Sequence, residues 1–251
     1  MAKERFSEAD EKTAGAMVHA PEVMIRPASA AVRGVALVLH GGRANSFEPV
    51  RSRHLSPARM IPFARLLSAW GSPAGLETWN LRNRVRGWNG EEMSPLHDAR
   101  WALERIHDRH PDVPVYLLGH SMGGLTALCT ADDPQVRAVV ALAPWVDSTT
   151  PVQQVAGRRV LIVHGDRDRW TSPRQSQRYA QRIQHIADDV RYVTMTGAGH
   201  FMLSKLPLWH ELSASYLLDS FAHDTGAPVN PRHLRRAADV LAQPSPLGGT
   251  L

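Results

Sequence analysis

Val115-Tyr116-Leu117-Leu118-Gly119-His120-Ser121-Met122-Gly123-Gly124-Leu125 is the stretch that decides how this chain is read. An apolar, β-prone run passes into Gly-x-Ser-x-Gly, and Leu125, Ala127 and Leu128 then continue at helical spacing. A serine between such a strand and such a helix sits on a tight turn. Side chains two positions before and after it would collide with neighbouring elements, which calls for glycine at 119 and 123. The turn lifts the Ser121 hydroxyl above the sheet and aims the free N–H groups of a helix N-terminus at whatever reacts there. Ser121 is therefore a candidate nucleophile.

Working outward, further apolar runs at Val35–Leu39, Val113–Leu118, Val136–Leu142, Arg159–Val163 and Val190–Met195 predict strands. Most are continuous rather than alternating, as expected of a parallel sheet covered on both faces. Gly75–Asn80 is a weaker strand, and Val18–Arg26 an antiparallel edge. Ser56-Pro57, Ser94-Pro95 and Ser172-Pro173 each pair a capping serine with a proline at the first helical position, and Gln175 completes a capping box with Ser172. Ala99, Ala102, Leu103 and Ile106 form the buried stripe of the helix after Ser94, and a last helix is expected from about Ser204 to Phe221. Strand–helix alternation predicts an α/β fold with a mostly parallel, doubly wound sheet and helices on both faces. Reactive groups then belong at the carboxyl ends of the strands.

A serine nucleophile needs a base, and the base needs an orienting acid. The strand at Arg159–Val163 ends in His164-Gly165-Asp166-Arg167-Asp168, and that at Val190–Met195 in Thr196-Gly197-Ala198-Gly199-His200-Phe201. Along the chain the order is Ser, Asp, His. With His40-Gly41-Gly42, Gly119-His120-Ser121-Met122-Gly123-Gly124, Gly165-Asp166-Arg167-Asp168 and Gly199-His200, the chain resembles the α/β-hydrolase superfamily from about Val35 to Phe221. The resemblance implies Asp168 as acid, His200 as base, and the N–H groups of Gly42 and Met122 as the oxyanion hole, with Arg43 as the alternative to Gly42. Asp166 and Asp147 compete with Asp168 for the acid. His40, His120 and His164 also sit at strand ends; His40 and His164 are expected to brace loops, and the His120 ring, next to the nucleophile, to point away from the hydroxyl. No Cys/His or His-x-x-x-His spacing supports a metal, and no cofactor is implied.

Only Trp145 to about Gly157 separate the strand after the nucleophile helix from the next one, too few residues for a large cap. Trp145, Trp170, Phe201 and Met202 flank strand ends, with Trp145 and Phe201 the candidates to line an acyl pocket. Asn83–Gly90 resembles the family's Arg-Gly-containing loop, leaving Arg84 and Arg86 to face solvent or an anion. The resemblance implies a carboxylic ester hydrolase acting on a small-molecule acyl substrate. A thioesterase or acyltransferase would use the same triad, and a ligand-binding module on the same scaffold would use none.

The 251 residues are 43% hydrophobic and 21% charged, which suits one globular domain. The expected organisation is a flexible segment at 1–14, a hydrolase domain at 15–225 and a tail at 226–251, packed or mobile. The single cysteine excludes an internal disulfide. The N-terminus lacks the apolar core of a secretory signal, and no apolar run is long enough to span a membrane, so the expected location is cytoplasmic. The net charge of +5 comes almost wholly from arginines scattered along the chain, which argues against nucleic acid as a partner. Arg174, Arg178 and Arg182 share a helix face at i, i+4 spacing, expected to be solvated.

Overall fold

The computed structural model describes residues 5–7, 20–242 and 249–250, so most of the segment 1–14 and much of the tail's end lie outside the described residues. In chain order the strands are β1 (Arg5–Ser7), β2 (Glu22–Arg26), β3 (Gly34–Leu39), β4 (Leu76–Arg82), β5 (Val115–His120), β6 (Val136–Leu142), β7 (Arg159–Gly165), β8 (Asp189–Met195) and β9 (Gly249–Thr250). The helices are α1 (Leu55–Gly71), α2 (Ser94–Arg109), α3 (Met122–Cys129), α4 (Pro173–Ile183), α5 (Leu206–Thr225) and α6 (Arg235–Leu241). The strands form one sheet in the order β1-β2-β4-β3-β5-β6-β7-β8-β9. β1 pairs antiparallel with β2, and β2 antiparallel with β4, forming an edge; every other pairing is parallel.

The continuous apolar runs follow from helices on both faces. Val35, Leu37 and Leu39 of β3 and Val115 and Leu117 of β5 face the layer of α2, α3 and α4. Their neighbours Ala36, Val38, Tyr116 and Leu118 face α1 and α5. A strand buried on both sides has no polar alternation to show, and each fully buried aliphatic side chain contributes about 1.5–3 kcal/mol.

Two expected helix starts are corrected. α1 begins one residue before Ser56, and the position preceding it, His54, makes no side-chain cap bond. His54 Nδ1 instead accepts the Arg51 N–H at 3.1 Å. Ser94 is the first residue of α2, and its hydroxyl accepts a bond from Asn89 Nδ2 at 3.2 Å. A side chain from the preceding loop has taken the place of the helix's own N–H. At α4 the expectation holds: Ser172 Oγ accepts the Gln175 N–H at 3.2 Å. Within the tail, α6 packs on α5, where Ala237 and Val240 are buried and the Ala237 N–H donates to Ser215 Oγ at 2.9 Å.

The topology fixes where a site can form. From β3 the chain moves outward to β4, then returns to place β5 on the other side of β3. At that reversal the connections leave in opposite directions, and a crevice opens beyond the strands' carboxyl ends. The loops after β3 and β5 start there, and those after β7 and β8 flank it.

Candidate active site

Ser121 lies between β5 and α3 with φ 57° and ψ −119°, a backbone conformation that costs a non-glycine residue about 1–3 kcal/mol. The surroundings enforce it. A Cβ on Gly119 would stand 2.0 Å from the Gly123 carbonyl oxygen, and one on Gly123 would stand 2.5 Å from that of Leu39. Strand and helix can therefore meet this closely only through glycine. The Ser121 N–H is held by the Leu142 carbonyl at 2.9 Å.

Three side chains then fall into line. Ser121 Oγ is 3.0 Å from His200 Nε2, and His200 Nδ1 is 2.7 Å from Asp168 Oδ2. With the ring proton on Nδ1, His200 donates to Asp168 and accepts from the serine hydroxyl. The Asp168 carboxylate is fully buried and holds more than His200. Its Oδ2 also faces His164 Nε2 at 3.1 Å and Thr171 Oγ1 at 2.9 Å, while Oδ1 accepts the N–H groups of Trp170 at 2.7 Å and Thr171 at 3.0 Å. Burial works to raise the Asp168 pKa, but the hydrogen bonds from His164, His200 and the two backbone N–H groups outweigh it and hold the carboxyl well below the usual range.

The competing acids and bases are engaged elsewhere. Asp166 is exposed and accepts the Gly197 N–H at 2.7 Å. Asp147 closes a turn with the N–H groups of Thr149 and Thr150. His40 donates from Nδ1 to the Gly41 carbonyl at 2.7 Å and accepts the Asn83 N–H on Nε2 at 3.2 Å. Burial pushes its pKa down to about 4. His120 turns away from the serine and donates from Nε2 to the His200 carbonyl at 2.9 Å. Burial, reinforced by the neighbouring His200, pushes its pKa down to about 3.

Gly42 and Met122 face the same crevice as Ser121. Neither N–H has a protein acceptor among the described residues, whereas the Arg43 N–H is taken by the Arg86 carbonyl at 2.8 Å. That difference separates Gly42 from Arg43 as a free donor. A side chain at 42 would meet the Arg86 carbonyl oxygen at 2.3 Å and the Met122 side chain at 2.4 Å.

The loop at 83–90 is a brace that sequence reasoning did not find. It pairs with the loop after β3 through Arg43 and Gly87 and through Pro49 and Val85. Asn89 Oδ1 accepts the Ser46 N–H at 2.8 Å, and Arg84 is committed to the buried Asp98 at 2.5 Å. The available signal was His40 directly before Gly41-Gly42, a strand-end histidine in need of a partner. Thr171, which donates into the Asp168 cluster, carried no sequence signal.

The crevice has a volume of about 680 Å³, and both Trp145 and Phe201 line it, each 38% exposed. Trp170 stands at its rim, 73% exposed. Met202 does not line it: the residue is buried in the core layer between the sheet and helices α1 and α5, at a positive φ of 57°. Between β6 and β7 the chain forms only a short turn of helix at Gln153–Val155, so no cap covers the crevice there. Among the described residues no cluster of metal-ligating side chains occurs, and no helix is long and apolar enough to cross a membrane.

Comparison with known proteins agrees with this architecture. The sequence model of the serine aminopeptidase family S33 matches residues 83–159. An α/β serine hydrolase homologue from Coxiella burnetii is 21% identical, with a TM-score of 0.63 over 85% of this chain and 97% of that one. Est1E from Butyrivibrio proteoclasticus is 17% identical, with a TM-score of 0.63 over 83% and 97%. A serine hydrolase without lid from Xanthomonas campestris is 18% identical, with a TM-score of 0.59 over 91% and 97%. No curated protein matches the chain. By fold the chain is an α/β-hydrolase. Within that class it resembles the serine hydrolases without a lid.

Proposed function

We propose that the protein is a serine hydrolase of carboxylic esters, with Ser121 as nucleophile, His200 as general base and Asp168 as its orienting acid. The observation that carries this reading is the unbroken relay from Ser121 Oγ through His200 to Asp168, at 3.0 and 2.7 Å, with the serine on a strained turn. In the reaction His200 Nε2 takes the hydroxyl proton as Ser121 Oγ attacks the acyl carbon. The N–H groups of Gly42 and Met122 receive the developing oxyanion, and one such donor is worth about 3–4 kcal/mol in related chemistry. His200 then returns the proton to the departing alcohol. A water, deprotonated by the same histidine, releases the acid from the acyl-enzyme.

An ester is favoured over an N-terminal peptide bond by the lining of the crevice. An aminopeptidase has to hold a substrate ammonium, but among the described residues no carboxylate lines this crevice, whereas Arg43, Arg59 and Arg86 do. The lidless form and the ester chemistry also have parallels among the structural neighbours: Est1E has been seen with ferulic acid bound.

The test is a fluorophosphonate probe followed by peptide mass spectrometry. Labelling of Ser121, abolished in Ser121→Ala, supports the reading. A folded, unlabelled protein would mark the scaffold as a non-catalytic binder. A panel of p-nitrophenyl esters and acyl-CoA thioesters of increasing length then separates an esterase from a thioesterase using the same triad.

A further inference from the structure

Arg59 reaches the crevice from the first turns of α1, and its guanidinium lies 4.8 Å from the centre of the Phe201 ring. Phe201 in turn stands 5.5 Å from the His200 imidazole. The guanidinium is half-buried, and burial lowers its pKa. Its charge is felt by His120, directly beneath His200. Arg43 lines the same crevice next to Gly42. Among the described residues no carboxylate lies within ion-pair distance of either arginine. The third arginine of the lining, Arg86, is paired with Glu48 at 2.5 Å. The crevice thus holds two cations without a carboxylate partner among the described residues: Arg59 against the Phe201 ring and the more exposed Arg43 beside Gly42.

A half-buried cation beside an aromatic ring is held weakly by the ring face. That does not replace a counter-ion, so the pair of cations is set to attract an anion. Charges held in a concave site with low-dielectric walls act more strongly than the same charges on an open surface.

We propose that the natural substrate is an ester bearing an anionic group, a carboxylate or a phosphate, a few bonds from the scissile carbonyl, with Arg59 and Arg43 as its counter-charges. The inference rests on Ser121 being the nucleophile. Arg59 and Arg43 would decide specificity and take no part in bond making.

The experiment compares matched substrates at low ionic strength. One pair carries the charge on the acyl chain: mono-p-nitrophenyl adipate against p-nitrophenyl hexanoate. The other carries it on the alcohol: butyryl glycerol phosphate against monobutyryl glycerol, followed by titration of released acid. For at least one pair kcat/KM is expected to favour the anionic ester by about tenfold, equivalent to about 1.4 kcal/mol. The favoured pair says whether a carboxylated acyl group or a phosphorylated alcohol is the source of the charge. Arg59→Gln and Arg43→Gln should each cut that ratio about three- to tenfold, mainly through KM, while Arg59→Lys restores most of it. Raising the salt concentration should cut the ratio in the native protein. If Ser121 takes the fluorophosphonate label and neutral esters turn over, but neither anionic ester is preferred, the proposal is overturned and the serine hydrolase reading survives. A preference that is unchanged in Arg43→Gln/Arg59→Gln also overturns it. If Ser121 is unlabelled and no ester turns over, both fall together.

Discussion

Replacing Asp168 by asparagine tests the relay at its most connected atom. The carboxylate presents Oδ1 to two backbone N–H groups and Oδ2 to His200, His164 and Thr171. An asparagine has to keep its carbonyl oxygen on the two fixed N–H groups, because turning the amide round would set donor against donor twice. Its NH2 then faces His200. Thr171 can still give its proton to the Ala143 carbonyl at 3.1 Å, and His164 can move its own to Nδ1, where Ser176 Oγ stands at 2.8 Å. His200 can accept from the new NH2 only by carrying its proton on Nε2, where it points at Ser121 Oγ. The base is then occupied. The same change in the Ser-His-Asp proteases costs about 10⁴ in kcat, about 5.4 kcal/mol of transition-state stabilisation. Because the other partners can adapt, Asp168→Asn should melt cooperatively and fold normally while its ester kcat falls by about this factor. Steady-state hydrolysis of p-nitrophenyl butyrate with a thermal melt alongside measures both. Asp166→Asn is the control: its carbonyl can still accept the Gly197 N–H, so the rate should stay within a few-fold. An Asp168→Asn enzyme retaining more than a tenth of its rate, or an Asp166→Asn enzyme losing it, would refute the argument.

Other expectations follow from the same geometry. Ser121→Gly should be more stable than Ser121→Ala by about 1 kcal/mol in urea melts: glycine relieves a strain of about 1–3 kcal/mol at φ 57° and costs about 0.5–1 kcal/mol in chain entropy. Equal stability would show that the turn is not strained. Gly123→Ala places a methyl group 2.5 Å and 2.6 Å from the carbonyl oxygens of Leu39 and His40, so it should abolish activity and lower stability by more than about 3 kcal/mol; a native melting temperature would contradict this. His40 and His120 are buried with pKa values lowered to about 4 and about 3, so below pH 6.5 the unfolded chain takes up protons that the folded chain refuses. Stability should therefore fall on acidification from pH 6.5, by about 1.4 kcal/mol per pH unit for each histidine, down to pH 4 for His40 and pH 3 for His120. The depressed Asp168 adds to the loss only below its unfolded value of about 3.9. Urea melts at pH 7.5, 6 and 5 should show the slope, His120→Asn should make it shallower, and a flat profile would sink the assignment of both rings as neutral.

The sequence shows some of this architecture and hides the rest for reasons of distance along the chain. Strands covered on both faces announce themselves as unbroken apolar runs, and the glycines at 119 and 123 are local requirements of one turn. The order of serine, acid and base is legible because each follows a recognisable strand. The choice between Asp166 and Asp168 is not, since two residues on one turn differ only in which way the turn points them. The availability of the Gly42 N–H over that of Arg43 depends on the Arg86 carbonyl, which a different loop delivers. The starts at Ser56 and Ser94 mislead because a cap is a competition: Asn89 reaches Ser94 from outside the helix, and α1 extends two residues further back than its proline suggests.

Those non-local contacts share a design that explains how a site without a lid can be held in place. Three histidines sit at the carboxyl ends of strands in the middle of the sheet: His40 after β3, His120 closing the neighbouring β5 and His164 near the end of β7. Each spends its ring on a loop. His40 fastens the loop after β3 to Asn83, His120 fastens the His200 backbone from below, and His164 joins Asp168 to Ser176 of α4. A cap domain could have held the same loops from above, at the cost of covering the crevice. Bracing from beneath leaves the crevice open, so a bound molecule has room to extend past Trp145 and Trp170 into solvent. It also keeps two buried imidazoles in the neutral state, so the fastening of these loops is expected to weaken on acidification. The openness and the acid sensitivity thus have one cause: the loops are tied to the sheet and not to a lid.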